Sequence, residues 1–353
     1  MKYRDLLQEL TLLPGISGYE RRIARYLEKE LAADCSFSKD NMGSVLCEYE
    51  GSQSTPKIMF IAHMDEVGFI VSDIHPDGFI KFHNIGGWNP NTLLSSPVEV
   101  FNSQNESFPG IIGSIPKHFK VKEKKLEIAD MFIDVGATSA ADLKENFGIK
   151  IGDPIVPVAN FHYSEKNNRM FSKAFDDRVG VAALIALGKK MREISHPNTV
   201  ILAGSVQEEV GTRGSASLAN RTDADICIVL EGAPADDIPG IPGNSQTAVG
   251  KGAQVRLFDP TMIVKPEMRN FICNLAEENN ITYQTTVRKG GGTDGRNMHI
   301  ANMGIPTIVL GCPVRYAHSH NCLISLNDFE ELMKLITAIV ENMNAETCKQ
   351  IQN

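Results

Sequence analysis

Lys57-Ile-Met-Phe-Ile-Ala62 runs directly into His63-Met-Asp65, and this junction decides how the chain folds. An unbroken apolar run of strand length suits a strand covered on both faces, because a strand with one wet face alternates polar and apolar positions. Val200-Ile-Leu-Ala203, Ile226-Cys-Ile-Val-Leu230 and Thr307-Ile-Val-Leu310 are runs of the same kind further along. Helical patterns separate and follow them. Val179 to Met191 is apolar nearly all round, and Phe329, Leu332, Met333, Ile336, Ile339, Val340 and Met343 recur at helical spacing. Such alternation predicts an α/β sandwich. Upstream, Leu6, Leu7, Leu10, Leu12 and Leu13 predict a helix ending before Pro14-Gly15. Ser17 with Glu20 predicts a capping box for a second helix, whose apolar stripe is Ile23, Leu27 and Leu31.

Between Phe69 and Phe161 the pattern changes. Short strand-like pieces (Gly78 to Phe82, Val98 to Phe101, Gly110 to Gly113, Met131 to Val135, Pro154 to Val158) are separated by Gly, Pro, Asn and Asp, with one helical stretch at Ala140 to Phe147. This predicts a small β-barrel, residues 69–161, inserted into an α/β domain made of residues 1–68 and 162–353.

The chain has 353 residues, 42% hydrophobic and 22% charged, with a formal net charge of -8. That balance supports a sizeable core and excludes disorder, while the acidic charge argues against nucleic acid and anionic membranes as partners. A small molecule, a peptide or a second copy of the chain is expected instead. The leading MKYRDLLQELTLLPG mixes charges with leucines, unlike a secretory signal, and no segment approaches the ~18 uncharged apolar residues of a membrane helix. Seven cysteines without Cys-x-x-Cys spacing argue against a disulfide framework or a thiolate zinc site, so a reduced, cytoplasmic setting is expected.

Acids and imidazoles cluster where the apolar runs end. His63 and Asp65 follow the first run, Glu208 and Glu209 follow Val200 to Val206, Glu231 follows Leu230, and His318 and His320 come after Leu310. Ligands of open α/β sheets bind at the carboxyl ends of strands, so these groups are expected to converge. Any one of them alone would be an ordinary strand terminator. Adding Asp176-Asp177 makes a set of His and carboxylate without thiolate, which suits zinc, cobalt or manganese in a hydrolytic site. The plainer role for Asp176-Asp177 is capping the following helix.

The segments Ile61-Ala-His-Met-Asp-Glu-Val-Gly68, Ala174-Phe-Asp-Asp-Arg-Val-Gly180, Gln207-Glu-Glu-Val-Gly-Thr-Arg-Gly214, Gly291-Gly-Thr-Asp294 and Arg315-Tyr-Ala-His-Ser-His320 resemble those of the tetrahedral (TET) metallo-aminopeptidases. This is the glutamyl and deblocking aminopeptidase family, whose members are often labelled endoglucanase or cellulase M. The likeness begins at Pro14-Gly-Ile-Ser-Gly-Tyr-Glu20 and reaches the final helix in order. It implies a zinc-peptidase-like α/β domain with an inserted barrel that mediates oligomerisation, and assembly into dimers or a tetrahedral dodecamer. By position it implies two divalent metal ions per chain, zinc foremost, with Asp176 shared, His63 and Glu231 on one and Glu209 and His318 on the other. Glu208 would be the general base, and Asp65 would hold the His63 ring. Where this chain has Glu231 the family commonly has Asp, which leaves Asp236 and Asp237 as alternative ligands.

The implied reaction removes N-terminal residues from short peptides. Aminoacylase, carboxypeptidase and a non-catalytic scaffold are the competing roles. A glycosidase would need carboxyls ~5 to 9.5 Å apart across a bond, whereas Glu208 and Glu209, read as extended neighbours, point to opposite sides. Gly290 to Gly295 fits Gly-x-Gly-x-x-Gly, but without an opening βαβ unit it reads as a glycine-rich loop beside the site. Arg178 and Arg213 are expected to pair with the acidic cluster.

Overall fold

Four apolar strands lie side by side at the centre of the molecule: Thr199–Ser205, Lys57–His63, Ile226–Pro234 and Thr307–Val314. All three pairings between them are parallel. In this computed structural model, which describes residues 2–119 and 125–353, they form the middle of a nine-stranded sheet. Val45–Tyr49 and Ser36–Lys39 extend one side; Ala253–Asp259, Met262–Ile263 and Tyr283–Val287 complete the other. Every residue of Thr199–Ser205 and Thr307–Val314 is buried, which is why these runs are continuous rather than alternating.

The helix Phe175–Lys190 packs on the sheet and is buried without interruption from Asp177 to Gly188, as its all-round apolar composition requires. Its start presses against the neighbouring strand: a Cβ added to Gly232 would lie 2.6 Å from the Asp176 Cα, so glycine is needed for that approach. Leu326–Asn342 buries the predicted stripe from Phe329 to Val340. The first helix, Tyr3–Leu12, buries Leu6, Leu7 and Leu10.

The second helix, Arg21–Leu31, corrects one expectation. Ser17 and Glu20 make no capping box: the Ser17 hydroxyl donates to Asp65 at 2.6 Å, and the Glu20 carboxylate accepts from the Gly18 and Gln207 backbone N–H groups. Each side chain reaches a distant loop, Ser17 to Asp65 and Glu20 to Gln207, and neither caps the adjacent helix end.

Six strands, Gly68–Ile74, Ile80–Ile85, Ile133–Asp134, Ser107–Ile112, Pro97–Phe101 and Pro154–Pro157, close into an antiparallel barrel. Of the span expected for the insertion, positions 120–124 lie outside the described residues. The barrel has its own core, built on Phe69, Val71, Phe82, Val100 and Ile155. Thus the chain is a mixed α/β structure whose sheet domain and barrel have separate hydrophobic centres. No helix among the described residues is long and apolar enough to cross a membrane.

Candidate active site

Parallel pairing places Ser205 beside His63, at the same edge of the sheet. Glu231 lies further along its strand than expected, because pairing with Thr307–Val314 carries that strand through to Pro234. These strand ends face the start of the buried helix, where Ala174 takes a left-handed conformation and the Asp176–Asp177 peptide is cis.

The two aspartates divide the roles that the sequence left open. Asp177 turns inward, accepting the Gly180 N–H at 2.9 Å and the His63 N–H at 3.2 Å; it caps the regular helix beginning at Arg178. Asp176 turns to the strand ends. One of its oxygens lies 3.2 Å from His63 Nε2 and the other 3.5 Å from His318 Nε2. On the first side Glu231 stands 4.0 Å from His63 Nε2; on the second Glu209 lies 3.1 Å from His318 Nε2. The groups His63, Asp176, Glu231 and Asp176, Glu209, His318 each bring one donor atom within 4.8 Å of the others and could hold a cation. His and carboxylate donors in these numbers fit zinc, cobalt or manganese.

Asp65 organises the centre from behind. Wholly buried, it accepts the Ser17 hydroxyl and the backbone N–H groups of Glu208 and Glu209 at 3.0 and 3.1 Å. Its carboxylate also lies 3.4 Å from His63 Nδ1, and its carbonyl 3.1 Å from the same nitrogen, which orients the ring. Burial opposes its charge, but His63 and these donors hold Asp65 below its ordinary pKa.

Glu208 and Glu209 do not sit on a strand. The strand stops at Ser205, Gln207 has φ 56°, and the Gly211 and Thr212 N–H groups close a turn on the Glu208 carbonyl. Asp65 and Glu20 pin that turn, so their directions come from it and not from strand alternation.

Burial and mutual charge move these groups away from their ordinary titration ranges. Burial raises Glu208 well above its ordinary value and lifts Glu231 to about 8. Burial also works against the imidazolium forms, yet Asp176 and Glu209 bring His318 up to about 11, and Asp176 and Asp65 raise His63. Despite its burial, Asp176 is held well below the carboxylate range by the same two imidazoles. So many buried acids require cationic compensation, whether from protons or from metal.

A cavity of about 340 Å³ opens onto His63, Asp176, Glu208, Glu209, Glu231 and His318. Gly290, Gly291, Gly292 and Thr293 line it, as expected for the glycine-rich loop. Larger hollows of about 660 Å³ beside Arg21 and 880 Å³ on the barrel have no imidazole in their walls. The barrel touches the site through Gly86 and Gly87, where an added Cβ would lie 3.3 Å from Glu209 Oε2 and 3.1 Å from His318 Nδ1, respectively.

Several nearby residues fall elsewhere than expected. Arg178 is fully buried and donates to the Leu10, Leu13, Gly15 and Met64 carbonyls, with Glu66 its acidic partner; Arg213 donates to the Gln207 side chain. Asp236 accepts from Ser245, Gln246 and Thr247, while Asp237 pairs with Arg315, so Glu231 is the acid that reaches His63. His320 packs against Trp88 and is depressed to about 4 by burial and then by Lys173. Residues missed in the sequence are Ser17 and Glu20 as supports, Asp294 as the acceptor of the Ser205 hydroxyl, and Arg256 and Arg288 in the cavity wall. Pro14 to Glu20 lay within the family-like segments, but nothing local signalled its partners.

Comparison with known proteins agrees over nearly the whole chain. The sequence pattern of the family described as "M42 glutamyl aminopeptidase" matches residues 43–335. A glutamyl aminopeptidase of Lactococcus lactis is 32% identical, with all of both chains aligned. A lysyl aminopeptidase of Pyrococcus furiosus is 30% identical over 96% of this chain and 97% of its own. Among solved structures, a TET aminopeptidase from a marine-sediment Thaumarchaeota archaeon superposes with a TM-score of 0.94 at 36% identity, covering 99% of this chain and 98% of that one. The TET1 peptidase of Pyrococcus horikoshii, described as able to assemble into a tetrahedron or a large octahedral shell, gives 0.86 at 29% identity over 97% and 100%.

Proposed function

The chain belongs to the M42 glutamyl aminopeptidase family, and from that premise we propose that it removes N-terminal residues from short peptides with two divalent cations bound per chain. The observation that carries the two-cation reading is the placement of the Asp176 carboxylate, whose separate oxygens face His63 and His318. His63 and Glu231 would complete one site, Glu209 and His318 the other. The bound cations would supply an acidified water and a Lewis acid for the peptide carbonyl.

The remaining work falls to the chain. Glu208 takes the water's proton and returns it to the departing amine, a role suited to a buried carboxyl whose pKa is raised. Asp65 keeps the His63 ring fixed and anchors the Glu208–Glu209 backbone, so base and ligand hold their relative positions. The substrate's α-amine meets the carboxylates of the same wall, which favours a free N-terminus.

The test is cleavage of a tripeptide beside its N-acetylated form, before and after chelation. We expect loss of activity on chelation, restoration by zinc, cobalt or manganese, and no cleavage of the acetylated peptide. Preference for the acetylated substrate would favour an aminoacylase instead; release of the C-terminal residue would favour a carboxypeptidase.

The barrel is the proposed site of self-association, residues 69–161 forming the oligomerisation domain and residues 1–68 and 162–353 the catalytic one. Support comes from the 880 Å³ hollow walled by Phe79, Ile111 and Phe132, and from the assembly described for the horikoshii relative. Ile111 is 55% exposed, so Ile111→Lys should reduce the mass seen by light scattering without unfolding the chain. All seven cysteines are free, which fits a cytoplasmic setting.

A further inference from the structure

The two histidines of the cluster are held in different ways. His63 ends a strand, and its Nδ1 faces the Asp65 carbonyl at 3.1 Å and the Asp65 carboxylate at 3.4 Å. His318 lies in a loop with φ 59°. Its Nε2 faces Asp176 and Glu209, but among the described residues no hydrogen bond is made by its Nδ1. An imidazole that serves a metal is normally steered by a bond at its other nitrogen. His318 must be steered by something else.

The barrel stands where that bond would be. A Cβ added to Gly87 would lie 3.1 Å from His318 Nδ1, so the barrel backbone closes this side of the ring. The next residue, Trp88, reaches His320, with ring centroids 5.3 Å apart and planes at 50°, within the usual range of aromatic contact. His320 is 3% exposed, and neither ring nitrogen has a hydrogen-bond partner among the described residues. The backbone group that acts on it is the Pro97 carbonyl, again of the barrel. Such a ring is fixed by packing, and the packing is against the barrel.

Trp88 is itself anchored twice. It stacks on Phe69 at 4.9 Å and 25°, and Phe69 meets Phe82 edge-on at 5.1 Å inside the barrel core. Its Nε1 donates to the Gly68 carbonyl at 3.2 Å, where the segment that begins at His63 enters the barrel. One side chain therefore joins the segment carrying His63, the barrel core and the segment carrying His318. That last segment moves as a unit: the Ser319 hydroxyl and the Cys322 thiol both donate to the Tyr316 carbonyl, at 2.7 and 3.3 Å. A displaced His320 would carry His318 with it.

We infer that Trp88 is a positioning residue for His318: through His320, and beside Gly87, it sets where the second imidazole stands relative to Asp176 and Glu209. This rests on the two-cation reading and deepens it, by assigning a barrel side chain to one of the two sites. A role confined to barrel packing would lower stability without distinguishing between the sites.

Trp88 is the only tryptophan of the chain, so its emission reports on the contact directly. Full-length, chelator-treated enzyme is titrated with zinc while emission and bound zinc are followed together. Emission of the wild type should change with one of its two zinc equivalents. Glu209→Gln should move that change to higher zinc, and Glu231→Gln should leave it in place. Trp88→Leu should weaken one zinc by roughly 10 to 100-fold, the scale of a lost support behind a ligand, and retain the other. On a free tripeptide its kcat should fall at limiting zinc and recover in excess, with KM unchanged. Trp88→Phe keeps a ring to stack and should regain most of the loss. Should Trp88→Leu fail to fold, wild-type emission beside the Glu209→Gln and Glu231→Gln pair still decides the question. Emission indifferent to both zinc equivalents would overturn the inference, as would a folded Trp88→Leu that holds both ions normally or loses both alike. A wild type that saturates with one zinc would sink the two-cation reading beneath it.

Discussion

In the sheet, four neighbouring strands run parallel, so their carboxyl ends gather along one edge; in the barrel, six strands run antiparallel, so each rim mixes starts and ends. His63, Glu231 and the turn after Ser205 share the sheet's edge because of that direction. Among the described residues the barrel brings no imidazole or carboxylate to the cluster and meets it through the backbone of Gly86 and Gly87. Similar amounts of chain can therefore make a reactive edge or an inert wall, according to strand direction.

The largest expected effect tests the edge itself. Glu208→Gln keeps its shape but cannot accept a proton, so turnover should fall by about 10² to 10⁴ with metal content unchanged. Glu209→Gln replaces an anionic donor by a neutral one; its loss should accompany weaker metal binding and recover partly in excess metal. Asp176→Ala should release both cations. Metal analysis alongside rates decides, and a metal-depleted Glu208→Gln with a replete Glu209→Gln would exchange the two roles.

This comparison also explains what could be read beforehand. Runs such as Lys57 to Ala62 announced themselves because burial on both faces removes polar residues, and the groups after them stood out against that background. The barrel was visible only as broken short strands, and Gly68–Ile74 was not singled out within it. Supports that act across the chain were not legible. Ser17 and Glu20 have capping-box spacing, yet they bond to residues 48 and 187 positions away. Arg256 and Arg288 carry no local mark either, since their place in the cavity wall arises only when the Ala253–Asp259 and Tyr283–Val287 strands pair.

Glu20 offers a smaller, pH-dependent effect. Burial, then the charge of Asp65, raises its folded pKa to about 7, against an ordinary value of 4.5. A raised carboxyl binds more protons in the folded state, so its contribution to stability is present below pH 4.5 and is lost as pH rises through about 7. Glu20→Gln retains an oxygen for the Gly18 and Gln207 N–H groups while removing the charge. In chelator, the variant should therefore gain on the wild type between pH 5 and pH 8, by roughly 1 to 3 kcal/mol. Denaturant titrations at both values check it, and a gain confined to pH 5 would show that the carboxylate charge is needed for support.

Gly87→Ala probes a place where the inert wall meets the reactive edge, and its effect should be the smallest. The position lacks a positive φ, so alanine can adopt the backbone, and the whole cost comes from a methyl 3.1 Å from His318 Nδ1. Relief requires a shift of a few tenths of an ångström, either by the imidazole or by the barrel loop. If the ring moves, the site shared by Asp176, Glu209 and His318 should bind metal several-fold more weakly, with thermal stability changed by about 1 kcal/mol or less. Activity should then recover at higher metal concentration, while the His63 side stays unaffected. If the loop moves instead, metal titrations of variant and wild type will coincide, and the barrel's part in positioning His318 must be given up.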